Sequence, residues 1–144
     1  MQIIGRREKV DFPEFELCNL VAKIDTGAYT SSLHCSNIRE IKKKSGEKYL
    51  TFKLLDPSHP QYSENKYKSK NYSQKMVKSS NGKSELRYVI VTEINIGNNK
   101  HKIALTLTNR QDMRYPVLLG RKLIKRIYIV DVSKLNLLKS KNII

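Results

Sequence analysis

An apolar strand that runs directly into an acid-bearing turn constrains this chain more than any other stretch: Ala22-Lys23-Ile24-Asp25-Thr26-Gly27-Ala28. Leu20, Ala22 and Ile24 alternate with Val21 and Lys23, which predicts a partly buried strand over 19–24. That strand delivers Asp25 to a loop. The residue types suit water activation. The Asp25 carboxylate would hold and activate a water, and the Thr26 hydroxyl would brace the loop. Gly27 allows a backbone turn that a side chain would obstruct. The tetrapeptide alone is not decisive, because many proteins contain a strand followed by an Asp-Thr-Gly turn. A second stretch adds weight. Pro116-Val117-Leu118-Leu119-Gly120-Arg121-Lys122-Leu123-Ile124 reads as a buried strand, a glycine stop and a short helix.

In this order and at this separation, the two stretches resemble the two halves of the retropepsin-like aspartic peptidase pattern. In that family the apolar strand before the glycine packs beneath the catalytic loop as the psi loop. Ser79-Ser80-Asn81-Gly82-Lys83 falls where a retropepsin places its flap. The resemblance runs from about Val21 to Ile129. It is nearest to the RimB-like group, which also carries the label ATP-dependent zinc protease. Three strings carry that nearer match: Ile3-Ile4-Gly5-Arg6; Asp25 to Ala28 with Thr30-Ser31-Ser32-Leu33-His34; and Leu107-Thr108-Asn109-Arg110 through Met113-Arg114-Tyr115-Pro116.

The resemblance implies a closed all-β barrel with one short helix after the psi-loop strand. It implies catalysis by Asp25, Thr26 and Gly27. Ala28, Ser79, Ser80, Asn81, Gly82, Lys83, Arg114 and Arg121 would line the substrate side. An aspartic peptidase needs two carboxylates sharing a proton. The chain has one Asp-Thr-Gly, so the second aspartate must come from a second copy, in a C2 homodimer. One departure stands out. Retropepsins commonly place an acid two positions after the motif glycine, paired with the arginine after the psi-loop glycine. Here that position is Tyr29, so Arg121 needs another carboxylate, such as Asp131, or faces substrate. The RimB-like group is also associated with RimK-type ATP-grasp ligases, which add glutamates to ribosomal protein.

The net charge is +15 over 144 residues. A field of that sign favours acidic peptide, ribosome, nucleic acid or anionic membrane, unless it is only a solvated lysine-rich surface. Tyr62, Tyr67 and Tyr72 lie between lysines in a stretch that reads as a polar loop over 61–74. Such a pattern suits single-stranded nucleic acid, but exposed rings lying on the protein surface explain it better. Acidic peptide, gripped by Lys78, Lys83, Arg114 and Arg121, is the preferred ligand. No apolar run is long enough to cross a bilayer. The first ten residues have no apolar segment of a secretory signal, and two cysteines suit a reducing compartment, so the expected location is cytoplasmic with no membrane partner.

The length suits one domain, 1–144, with a core over about 19–132 and a basic tail over 133–144. Short strands are predicted at 2–4, from 30, at 49–54, 86–96, 102–107, 116–119 and 128–131. Pro13 predicts an irregular segment over 10–17. Asn81-Gly82 is the sharpest turn signal. No metal or cofactor is expected. There is no His-Glu-x-x-His or Cys-x-x-Cys, and no Gly-x-x-x-x-Gly-Lys-Ser/Thr loop. His34 and Cys35 are adjacent on a strand, while His59 and His101 are isolated. Two functions stay open: a homodimeric aspartic peptidase, or a non-catalytic module of the same fold that binds an acidic partner, ribosome or RNA.

Overall fold

A computed structural model describes residues 1–78, 81–109 and 114–138. The chain runs β1 (Gln2–Ile4), β2 (Arg7–Phe12), a 3-10 turn (Pro13–Phe15), β3 (Leu17–Ile24), β4 (Ser31–Lys42) and β5 (Lys48–Leu54). It continues with β6 (Tyr67–Ser69), β7 (Tyr72–Lys78), β8 (Ser84–Ile96), β9 (Asn99–Thr108), β10 (Val117–Leu119), α1 (Arg121–Ile124) and β11 (Tyr128–Val130). The strands β10-β3-β2-β8-β9-β4 are neighbours in that order, and β10 also pairs with β4, which closes a six-stranded barrel. β5 and β6 extend the sheet from β4, β7 pairs with β8, and β1 pairs in parallel with β11.

Alternation along the strands sets which side faces inward. Leu20, Ala22 and Ile24 of β3 are buried, as are Leu33 of β4, Leu105 and Leu107 of β9, and Val117 and Leu119 of β10. Phe12, Phe15 and Phe52 cluster at one end with Tyr67. The all-β barrel with its short helix after the psi-loop strand is therefore as the sequence predicted.

Two local expectations are corrected. The segment 10–17 is not irregular throughout. β2 runs to Phe12, and Pro13 then opens a 3-10 turn, where its missing N–H costs nothing. The segment 61–74 is not a plain loop, since it contains β6 and the start of β7. Its tyrosines supply the anchors. The Tyr67 ring sits 5.4 Å from Phe15, and its hydroxyl donates to the Phe15 carbonyl at 3.2 Å. Tyr72 donates to a Glu40 carboxylate oxygen at 2.7 Å and packs edge-on against Tyr88. Rings committed to these contacts are not free to stack on bases.

Beyond β11 the chain returns to the barrel. The Arg6 N–H donates to the Lys134 carbonyl at 2.9 Å, and the Asn136 N–H to the Arg7 carbonyl at 3.0 Å. Glu8, fully buried, accepts backbone N–H groups from Gly5, Leu137 and Leu138 at 2.7–3.0 Å. Gly5 is needed where these segments meet, because a Cβ there would lie 2.4 Å from the Lys134 carbonyl oxygen.

Candidate active site

Asp25 follows the last residue of β3 and is half-buried. Its backbone is fixed from below: the Asp25 N–H donates to the Leu119 carbonyl of β10 at 2.8 Å. The loop then closes on itself. The Gly27 N–H donates to Asp25 Oδ1 at 3.1 Å, and the Ala28 N–H to the Asp25 carbonyl at 3.2 Å. A Cβ on Gly27 would meet that same Oδ1 at 3.4 Å, an ordinary contact distance.

The psi-loop strand holds the far side of the loop. β10 pairs in parallel with β3 and antiparallel with β4, placing Leu119 beside Ile24 and Val117 beside Leu33. The Gly120 N–H donates to the buried Ser31 hydroxyl at 3.0 Å. A Cβ at Gly120 would lie 2.5 Å from the Thr30 carbonyl oxygen and 2.6 Å from that of Tyr29. The glycine stop therefore exists because two carbonyls pass within contact distance of its backbone. The next two N–H groups, of Arg121 and Lys122, donate to the carbonyls of Ala28 and Tyr29 at 2.9 Å.

Arg121 finds neither expected partner. Its Nη1 donates to the Thr26 carbonyl at 2.9 Å, and its guanidinium lies 5.8 Å from the centre of the Tyr29 ring. Asp131 accepts from the Ser133 hydroxyl and N–H instead, and these hydrogen bonds hold its carboxyl below the usual carboxylate range. Tyr29 thus serves Arg121 through its ring face where an acid would serve by charge. The opposite partner of that ring is Lys75 of β7, whose Nζ lies 5.6 Å from its centre. One aromatic ring links the aspartate loop, α1 and the flap-side strand.

Asp25 opens into a cleft of about 860 Å³, walled by the aspartate loop, by β7 and β8, and by the approach to β10. Among the described residues lining it, Asp25 is the single acid, whereas Lys23, Lys75, Lys78, Arg87 and Arg114 supply five cations. Gly27, Ala28 and Arg114, expected at the site, do line this cleft. Thr26 and Arg121 form the loop's outer brace and are not in its lining. Asn81, Gly82 and Lys83 occupy the turn between β7 and β8, outside the lining. Gly82 there takes φ +83°, and the Lys83 N–H donates to Asn81 Oδ1 at 3.2 Å. Ser79 and Ser80 lie outside the described residues.

Sequence reasoning did not single out Lys75, Arg87, Ser32 or Thr108 for this cleft. The usable signal was alternation along the hairpin: Lys75 and Arg87 are directly opposite each other in the β7–β8 register and so share a face. His34 lies beside Thr108, its partner in the β4–β9 register. It is buried, its Nε2 is 3.8 Å from Asp56, and burial pulls its pKa below the ordinary value while Asp56 partly opposes this.

A family model described as RimB-like, retropepsin-like aspartic endopeptidase RimB, matches residues 3–141. Among curated proteins, a Shewanella pealeana protein named "Probable alpha-L-glutamate ligase" is 41% identical over 136 residues, covering 92% of this chain and 29% of that protein. A Desulfotalea psychrophila protein of the same name is 32% identical over 130 residues, covering 90% of this chain and 28% of its own length. The chain therefore spans less than a third of the curated relatives it matches. Among solved structures, a Legionella pneumophila protein of unknown function superposes with a TM-score of 0.74 at 33% identity, covering 96% of this chain and 98% of that one.

Proposed function

The chain belongs to the RimB-like family of retropepsin-like aspartic endopeptidases, and on that premise we propose that it is a homodimeric aspartic peptidase acting on acidic peptides. The observation that carries the reading is the Asp25 carboxylate. It is held by the Gly27 N–H at the floor of a cleft whose other charged lining groups, among the described residues, are all cations. Each chain supplies one such carboxylate. Two chains facing each other across a two-fold axis bring two together, and a shared proton then leaves one as base and the other as acid. The base takes a proton from water as its oxygen attacks the peptide carbonyl, and the acid protonates that carbonyl oxygen. The same pair then delivers a proton to the departing amine. The β7–β8 hairpin closes over the peptide and excludes water.

Acidic substrate follows from charge. Among the described lining residues, five cations against one acid favour a ligand with clustered carboxylates. The name of these relatives, a probable glutamate ligase, fits the same substrate class, since joined glutamates form an acidic peptide. A RimK-type ligase, or a ribosomal protein carrying added glutamates, is the fitting partner. Two free cysteines suit the cytoplasm as the place of action. No described helix is long and apolar enough to cross a membrane.

A second reading, a non-catalytic module binding acidic protein or RNA, draws on the charge of +15 and on Tyr29 in place of an acid. Asp25→Asn separates the two. The amide is nearly isosteric but cannot act as base. In the peptidase, cleavage of a glutamate-rich peptide, followed by mass spectrometry, disappears while binding and fold persist. Cleavage that survives the substitution removes Asp25 from the mechanism.

A further inference from the structure

Arg87 lies on β8, lines the cleft, and is only 8% exposed. A guanidinium carries five N–H donors, and burying it without partners is costly. Here Nε is buried without any hydrogen-bond partner, and Nη2 makes one long contact, 3.3 Å, to the carboxylate of Glu85. Glu85 is 60% exposed. A second unpartnered group stands nearby. Thr108 Oγ1 is buried, lines the same cleft, and also lacks a hydrogen bond. The β8–β9 pairing ends at Val89 opposite Thr106, and Arg87 and Thr108 each lie two residues beyond that last pair on their own strands. On its other side Arg87 is paired with Lys75. Two under-satisfied donors and a lysine thus line the same cleft, with a solvent-facing carboxylate touching the arginine.

We infer that Arg87 and Thr108 form a carboxylate subsite in the cleft, which takes an acidic side chain of the bound peptide in exchange for Glu85. This rests on reading the cleft as a peptide site, and it names which residues select the peptide. An incoming carboxylate accepts from Nε and from a terminal nitrogen of Arg87 in the parallel geometry that guanidinium favours, while Thr108 donates to the same group. Glu85 occupies Arg87 while the cleft is empty and swings to solvent when the peptide arrives. The subsite selects acid over amide, because a glutamine side chain leaves the buried guanidinium charge uncompensated.

The test measures binding, not cleavage, and so stands apart from the peptidase reading. In the Asp25→Asn background, affinities for a short glutamate peptide and its glutamine counterpart are compared by calorimetry. The parent chain should prefer glutamate by about tenfold or more. Arg87→Met should cut the ratio severalfold, leaving only what the other cleft cations contribute. Arg87→Lys, which keeps the charge without the fork, should retain part of it and serves where the methionine variant fails to fold. Glu85→Gln should tighten glutamate binding roughly two- to fivefold by removing the competitor, a gain that a purely structural role for Arg87 does not produce. A Glu/Gln ratio untouched in both Arg87 variants, or a Glu85→Gln chain that binds glutamate no better, overturns the subsite. A wild-type chain that shows the Glu/Gln preference yet cleaves neither peptide would count against the peptidase reading alone.

Discussion

The guanidinium of Arg121 holds the carbonyl of Thr26 at 2.9 Å, within the aspartate motif itself. Together with the Arg121 and Lys122 N–H bonds to the Ala28 and Tyr29 carbonyls, this hydrogen bond ties α1 to the loop that carries Asp25, and the guanidinium lies beside the Tyr29 ring. Arg121→Met should therefore loosen the loop more than the fold. Arg121 is exposed, so the expected stability loss is about 1 kcal/mol. The loss in kcat should be larger, tenfold or so, because small misplacement of a reacting group is costly. Thermal melts and peptide cleavage on the same preparation check both. A variant with unchanged kcat shows that the brace has no part in positioning Asp25.

Gly120→Ala should destabilise strongly. Its new Cβ would lie 2.5–2.6 Å from two carbonyl oxygens of the segment that follows Asp25, and those carbonyls also accept hydrogen bonds or pass close to the start of α1. Relief requires backbone movement, at a cost of about 1–3 kcal/mol or more. A urea midpoint equal to that of the wild type would contradict the close approach.

Much of this was legible in the chain, for identifiable reasons. The barrel strands announce themselves by alternation, as in Leu20, Ala22 and Ile24. The psi-loop glycine announces itself because only glycine fits against the Tyr29 and Thr30 carbonyls. The partner of Arg121 was not legible, because a backbone carbonyl and a ring face leave no charge pattern to read. β6 and β7 were hidden by their lysines, Lys68, Lys75 and Lys78, with Tyr67 and Tyr72 as the anchoring residues. The carboxylate of Glu8 met the N–H groups of Leu137 and Leu138 across separations of 129 and 130 residues, which no local pattern reports.

Glu8→Gln tests that clasp. The carboxylate accepts from Gly5, Leu137 and Leu138, and an amide would turn one acceptor into a donor facing an N–H. The expected cost is roughly 3 kcal/mol. Hydrogen exchange at Leu137 and Leu138 should accelerate before that of the barrel strands. Protection unchanged at those two amides would show that Glu8 does not hold the returning segment.

Stability should fall on mild acidification. Burial keeps the native pKa of His34 below its ordinary value of 6.5, and His59 and His101 are lowered by the same cause. As pH drops through about 6.5, the unfolded chain takes up protons that the native chain refuses, so the unfolded state gains. The loss levels off once pH passes the lowered native values. Asp56, Glu64 and Asp131, also lowered, add their losses only below the ordinary carboxylate range. Tm should therefore be lower at pH 5.5 than at pH 7.5, with His34→Asn reducing the difference. A wild-type Tm that is flat over that interval would contradict neutral burial of His34.

The central claim is that two copies of Asp25, one from each chain, form a single catalytic pair. The most direct measurement mixes wild-type chain with increasing Asp25→Asn chain under conditions where subunits exchange, and follows cleavage of a glutamate-rich peptide. If both aspartates are required, every mixed dimer is inactive, and a ninefold excess of the variant should cut the rate per wild-type chain about tenfold. A rate per wild-type chain that stays constant across the titration, with exchange verified by mass spectrometry of the mixed dimers, would contradict the shared pair.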